Sequence, residues 1–295
     1  MEWFYKKYSA LCIVIAAVLW GIIGIFVRRL TLLGLGSMEQ MLVRSVIAAV
    51  GLVIYLAVFD REKLKINVKD LWMFFGTGVL SFLTFGWAYF FTIGITSVST
   101  AAVLLYTSPV FVTVMAAIFF KERITGRKIA ALILALCGTV LVSGGFGGAE
   151  IKLLGIATGL LSGFCYALYS IFGRIAAKGY SPITVTAYTF LFSSAGCLFI
   201  ADFGKTAEAI RGEPSSILLV IAFAVVTAVI PYILYTGGLK YTSAGKAAVI
   251  ACVEPVVATL TGVLVFRETM SIQALCGSLL ILGAILVLNQ KGQNI

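Results

Sequence analysis

The sequence predicts an all-α protein that crosses a membrane with ten helices, arranged as two inverted five-helix repeats. The 295 residues are 61% hydrophobic and only 12% charged, and their mean hydropathy is +1.09. Helices of such a chain are apolar on every side, which is not typical of soluble domains. The apolar residues fall in runs of about 20, enough to cross a hydrocarbon core of about 30 Å. The chain also matches itself at a fixed offset.

Ten apolar runs define the predicted spans. Their order leaves little sequence for a soluble domain, since the longest polar stretches are 59–70 and 202–215. The predicted limits are 9–28, 38–59, 70–92, 97–119, 127–145, 152–173, 183–201, 215–236, 243–266 and 270–289.

The orientation follows from the basic residues in alternate loops. The side that holds both termini carries 15 Lys and Arg, and the other side carries 6. Because cytoplasmic loops are enriched in Lys and Arg, both termini are expected in the cytoplasm of a multi-pass plasma-membrane or inner-membrane protein. The net charge of +10 is therefore a topology signal, and nucleic acid is not an expected partner.

An internal repeat appears when the chain is shifted by 146 residues. From 89 to 122 this shift gives 11 identities in 34 positions without a gap. It aligns Pro109 with Pro255 and Glu122 with Glu268. Shared apolar composition would not place prolines and acidic residues in one register, so the match indicates a true repeat.

Each copy of the repeat contains five predicted spans, with the first copy at 1–145 and the second at 146–295. Because five is odd, the second copy enters the membrane from the opposite side. Inverted repeats are typical of secondary transporters, whose substrate site lies near the midplane between the repeats.

Glu254 stands near the middle of the ninth span. An acidic residue at that depth costs about 2.5–3.5 kcal/mol on insertion scales, and Ser108 takes its place in the first repeat. The repeat fold therefore does not require the carboxylate. Two interpretations stay open: a coupling or binding site for a proton, cation or amino group, or a neutral carboxyl that holds helices together.

Three further residues disturb the apolar spans. Pro109 and Pro255 cannot complete the helix ladder, so we expect helix breaks near the site or simple kinks. Arg44 lies seven residues into its span. It binds a substrate carboxylate in one interpretation, and snorkels or pairs with backbone carbonyls in the other.

The residue inventory argues against an enzyme. The chain has no histidine, and its six cysteines lie in apolar runs without a CxxC pair. We therefore expect no metal site, no disulfide and no cofactor. Neither paired midplane carboxylates nor a metal-ligand cluster is visible in the sequence.

A set of short motifs is spread in a fixed order along nearly the whole chain. They are Leu19-Trp20-Gly21, Arg44, Thr96-Ser97, Ala101-Ala102, Pro109, Glu122, Tyr166-Ala167, Arg174, Thr242-Ser243-Ala244, Glu254-Pro255 and Glu268. In this order they resemble the ten-helix, EamA-type branch of the drug/metabolite transporter superfamily. The resemblance implies alternating-access transport of small metabolites, often amino-acid export. It also implies a cavity lined by the first, third, fourth, sixth, eighth and ninth spans. Related small transporters pair through their last helices, so a homodimer is one outcome.

Aromatic residues are numerous in the spans and lie either against a cavity or against lipid. Trp20, Trp87, Tyr106 and Tyr166 are the preferred cavity residues, because they lie away from span ends on helices that the resemblance places centrally. The expected function is export of amino acids or related compounds by a secondary transporter, with protons as a candidate coupling ion. A broad multidrug exporter and an uncoupled facilitator or channel are the alternatives.

Overall fold

The computed structural model describes residues 2–145, 153–213 and 216–289, and the secondary structure within these ranges is helical throughout. Ten long helical segments follow one another along the chain, and a short helix, Phe203–Gly212, precedes the eighth. The segments are α1 (Glu2–Leu32), α2 (Ser37–Phe59), α3 (Val68–Ile95), α4 (Val98–Phe120), α5 (Gly126–Val142), α6 (Leu153–Gly179), α7 (Pro182–Cys197), α8 (Ser216–Leu239), α9 (Ala244–Phe266) and α10 (Ile272–Asn289).

Seven of these segments are long and apolar enough to cross a membrane: α1 to α4, α6, α8 and α9. The other three are shorter, with 17 residues in α5, 16 in α7 and 18 in α10. The prediction of an all-α polytopic membrane protein is thus confirmed. The count of ten spans stays a prediction, because the shorter helices lie at the lower limit of spanning length.

Several of the long segments are interrupted. Segment α1 breaks at Ile22, α4 at Tyr106 and Thr107, and α9 at Cys252. Pro109 and Pro255 each lie in the first turn after a break. A proline is tolerated there because the first N–H groups of a helix lack intrahelical partners anyway. The helix is therefore interrupted just before each of the two prolines, and a role of these interruptions in the site stays a prediction.

The irregularities recur at the same offset as the sequence repeat. The break in α4 corresponds to the break in α9, and a π-helical stretch in α3, Gly76–Leu83, corresponds to one in α8, Val225–Val229. π-Helical turns are rare and often lie at functional sites. The inverted arrangement of the two halves stays a prediction, and so does a boundary between 145 and 146, which lies at the edge of a described range.

Small residues bring α6 close to α4, the helix that breaks at Tyr106 and Thr107. A Cβ on Gly159 would lie 2.4 Å from the Leu104 side chain, and one on Gly163 would lie 2.8 Å from the Leu104 carbonyl. This is the close backbone approach that small residues permit between membrane helices. It holds α6 against the break in α4, where the candidate site lies.

Helix α10 packs on α5, where Gly138 and Gly277 meet at their backbones. Its opposite face carries a row of exposed apolar side chains: Ile272, Leu275, Leu279, Leu282 and Leu286. In a bilayer this face meets either lipid or another chain. A homodimer through the last helix therefore stays a prediction.

Candidate functional site

A cavity of about 590 Å³ lies among α1, α2, α3, α4, α8 and α9. Trp20, Arg44, Tyr106 and Glu254 line it, and it extends to Glu268 just beyond the end of α9. Most of the wall is apolar or aromatic with a few polar groups, as is usual for a small-molecule site. A larger apolar groove of about 710 Å³ between α2, α7 and α8 has no charged lining residue.

The helices around the cavity differ in two respects from those implied by the resemblance. Segment α2, which was not among them, supplies Arg44 to the wall. Segment α6, which was among them, does not line the cavity, but the hydroxyl of its Tyr166 reaches Glu254. Three of the four preferred aromatic residues, Trp20, Tyr106 and Tyr166, are thus brought to the same place.

Glu254 is the second residue of the half-helix that follows the break in α9. Unpaired N–H groups and the positive end of the helix dipole favour a carboxylate at this position. The Tyr166 hydroxyl donates a hydrogen bond of 3.1 Å to Glu254 Oε2, and Tyr106 is a further partner of the carboxyl. The break in α9 thus creates the environment in which an acidic group can stand inside the membrane.

Arg44 enters the cavity from α2. One terminal nitrogen donates to the Thr227 carbonyl, which belongs to the π-helical stretch of α8. The guanidinium carbon lies 5.1 Å from the centre of the Phe82 ring, within cation–π range. Its Nε is buried and has no hydrogen-bond partner. Arg44 therefore pairs with a backbone carbonyl, as one interpretation expected, and still keeps a free donor.

Trp20 contributes a second donor without a partner. Its indole Nε1 is buried and unpaired, while its ring lies edge-on to Tyr232 at 5.2 Å between centroids. In the described part of the chain, only Trp20, Arg44 and Ser216 have buried side-chain nitrogen or oxygen atoms without a hydrogen bond. Such groups cost about 1–3 kcal/mol each, and two of the three belong to residues that line the cavity.

The fourth preferred aromatic residue, Trp87, does not line the cavity. It is 43% exposed and stacks on Phe91 one helical turn away, so it faces outward from α3. The cavity prediction for Trp87 is wrong for this reason. Pro109 and Pro255 are buried and are not among the residues that line the cavity.

One residue that sequence reasoning used only as part of a motif is central to the site. A Cβ on Gly21 would lie 2.6 Å from the Val257 Cβ and 2.8 Å from the Glu254 carbonyl oxygen. Only a glycine lets α1 approach the half-helix of Glu254 this closely. The motif Leu19-Trp20-Gly21 was the available signal, but it did not name the partner helix.

Salt bridges stand at both ends of the helix bundle. Arg28 pairs with Glu268 at the mouth of the cavity, and Arg174 pairs with Glu122 at the far end of α4. Burial raises the pKa of the Glu122 carboxyl. Hydrogen bonds from the Ala244 N–H, Arg174 and Lys128 outweigh it, so the pKa lies below its ordinary value of 4.5.

Comparison with known proteins identifies relatives along the whole chain. The model of the EamA-like transporter family matches twice, at residues 7–144 and 153–290. An uncharacterised transporter of Archaeoglobus fulgidus is 31% identical over 97% of this chain and 98% of its own length. An uncharacterised inner membrane transporter of Salmonella typhimurium is 24% identical over 94% and 93%. A solved crystal structure covers 96% of this chain and 97% of its own, with a TM-score of 0.80 at 18% identity.

Proposed function

Because the chain belongs to the EamA-like transporter family, we propose that it is a secondary active exporter of amino acids or related small metabolites in the cytoplasmic membrane. The observation that carries this proposal is the pairing of opposite chemistries in one cavity. Arg44 and Trp20, which each carry a buried donor without a partner, line the same cavity as the Glu254 carboxyl. A zwitterion offers a group for each.

The polar groups suggest how such a substrate binds. The substrate carboxylate accepts from the Arg44 guanidinium and the Trp20 indole, whose buried donors turn toward it on binding, and this removes the cost of two unpaired donors. The substrate ammonium pairs with the Glu254 carboxylate. The remaining wall is rich in rings, including Phe82, Phe85, Tyr89, Phe90 and Phe223, and it offers an apolar surface for the substrate side chain.

Proton coupling follows from competition at Glu254. An ionised carboxyl binds the ammonium group, whereas a protonated carboxyl is neutral and no longer attracts it. A proton that enters from outside therefore releases the substrate there, and the carboxyl returns the proton to the cytoplasm. Alternating access arises from movement of one inverted repeat against the other about this midplane site.

The test is transport by purified protein in liposomes under an imposed pH gradient. A panel of amino acids, nucleosides and cationic drugs is compared for wild type, Glu254→Gln and the control Glu62→Gln. Glu62 is an exposed acidic residue in the segment between α2 and α3. We expect gradient-driven amino-acid flux in wild type and in the control, and loss of pH dependence in Glu254→Gln although that variant remains folded. Unchanged pH dependence in Glu254→Gln would sink the coupling proposal.

A broad multidrug exporter is the second candidate, supported by the aromatic wall. Competition by unrelated lipophilic cations would favour it. The positive charge of Arg44 in the cavity wall argues against cations as main substrates, because like charges repel each other. Equal flux with and without a gradient, in wild type and in Glu254→Gln, would indicate an uncoupled facilitator instead.

A further inference from the structure

The two salt bridges at the ends of the bundle are copies of each other. The offset of 146 residues carries Arg28 onto Arg174 and Glu122 onto Glu268. Each bridge joins the first helix of one half to the end of the fourth helix of the other half. The sequence places a basic residue directly before each glutamate, yet neither glutamate pairs with that neighbour in the structure.

The local geometry of the two bridges is also repeated. The residues before the glutamates, Lys121 and Arg267, have φ angles of 54° and 56°, and they are the only described non-glycine residues with positive φ. Both glutamates are thus turned back over the end of their helix by the same left-handed cap. In both copies the arginine of the salt bridge lies over the last phenylalanine of the helix before the glutamate. The guanidinium carbon is 4.7 Å from the ring centre of Phe120 for Arg174, and 3.8 Å from that of Phe266 for Arg28.

The surroundings of the two bridges differ. The Glu122 side chain is 10% exposed, whereas that of Glu268 is 50% exposed. Glu122 also accepts from the first N–H of α9, that of Ala244, at 2.9 Å, and from Lys128 at 3.2 Å. We call Glu122, Arg174, Lys128 and Ala244 the Glu122 cluster. We call Arg28 and Glu268 the Glu268 pair.

The Glu268 pair lacks the contacts that complete the Glu122 cluster. By the repeat offset, the counterpart of Ala244 is Val98, the first residue of α4, and no hydrogen bond joins Val98 to Glu268 among the described contacts. Ala244 is fully buried, whereas Val98 is 62% exposed. The cavity reaches Val98, Arg28 and Glu268, so it extends to the end at which the copied bridge is open to solvent.

From this asymmetry we propose that the two copies are alternating gates. In the described state the Glu122 cluster closes one end of the bundle. In the opposite state Glu268 docks on the N–H of Val98 at the start of α4, as Glu122 docks on Ala244 here, and the Glu122 cluster opens. The orientation prediction puts the Glu122 cluster on the cytoplasmic side. The inference rests on the proposed function, because it assigns residues to the two ends of its transport cycle.

The gate test uses Val98→Cys as a reporter in the full-length protein, labelled by a membrane-impermeant maleimide in right-side-out and inside-out vesicles. Protein without the reporter gives the background from native cysteines. We expect strong labelling from the Glu268 side. Adding Glu122→Gln or Arg174→Gln is expected to reduce it severalfold, because the described state loses its closed gate. Adding Glu268→Gln is expected to leave labelling high.

Transport provides the second readout. Both states are needed for a cycle, so Glu268→Gln is expected to lower flux severalfold although its salt bridge is half exposed. A merely solvated ion pair would leave flux unchanged. Monodisperse gel filtration of each variant checks folding, and Arg174→Gln replaces Glu122→Gln if the latter fails that check. Labelling that is the same in all gate variants would overturn the proposal.

The two proposals fail in different ways. If labelling responds as expected but transport by Glu254→Gln keeps its pH dependence, the gate proposal is supported and the coupling proposal is contradicted. If Glu254→Gln abolishes the pH dependence of flux while labelling does not respond to Glu122→Gln or Arg174→Gln, the coupling proposal is supported and the gate proposal is contradicted.

Discussion

The contact between α1 and the half-helix of Glu254 allows a sharp test of the site. Gly21→Ala adds one methyl group to α1. That methyl would lie 2.6 Å from the Val257 Cβ and 2.8 Å from the Glu254 carbonyl oxygen. Ordinary contact requires about 3.5–4.0 Å between carbon atoms. The two atoms that the methyl group meets, the Val257 Cβ and the Glu254 carbonyl oxygen, are fixed by the backbone. No side-chain rotation therefore relieves the clash.

The expected effect is large for so small a change. Inserting a methyl group into a tightly packed contact typically costs about 1–3 kcal/mol. The two helices must separate by roughly 1 Å to restore ordinary contact. Because Glu254 and Trp20 lie on the two separating elements, that shift also changes the spacing between the proposed donor and acceptor. We therefore expect lower thermal stability in detergent and a strong loss of transport.

Gly24 provides the matched control on the same segment. It also lines the cavity, but a Cβ built on it meets nothing within 4 Å. Gly24→Ala is expected to retain the melting temperature of wild type. The reasoning is refuted if Gly21→Ala melts and transports like wild type, or if Gly24→Ala is equally damaged.

Two more predictions concern particular side chains. Because the folded pKa of Glu122 lies below its ordinary value of 4.5, its contribution to stability is complete above that pH and is lost as the pH falls through the folded pKa. The difference in the free energy of unfolding between wild type and Glu122→Gln in detergent should therefore be constant near neutral pH and become smaller in acid. A difference that grows in acid would contradict this prediction. Trp20→Phe removes an indole donor from the cavity and should weaken substrate binding about tenfold, whereas Trp87→Phe on the outer face should leave it unchanged. Substrate-binding curves for both variants test this prediction. An equal loss of affinity in Trp20→Phe and Trp87→Phe would contradict the placement of Trp20 in the binding site.

Several features of the molecule were predictable because they are local or repetitive. The apolar runs and low charge indicate a membrane protein regardless of how the helices pack. The fixed offset of 146 residues appears in the sequence and again in the breaks of α4 and α9 and the π-helical stretches of α3 and α8. Pro109 and Pro255 predicted the breaks because a proline acts on its own turn of helix.

The inward or outward direction of each aromatic side chain was not predictable in the same way. A helix that is apolar on all sides has no polar face to mark its lipid side. Trp87 and Tyr166 look alike in the sequence for this reason. Only the packing of α3 and α6 turns the first outward and brings the second within 3.1 Å of Glu254.

The sequence by itself therefore determined the class of protein, the repeat and the presence of a carboxylate within a span. Composition, period and proline chemistry are properties of short stretches of chain. The tertiary structure alone decided that Arg44 and Trp20 share a cavity with Glu254, and that Glu122 and Glu268 pair with Arg174 and Arg28 instead of their neighbours. These partners are 52 and 240 residues apart for the two salt bridges, and contacts over such separations depend on how the two halves pack together.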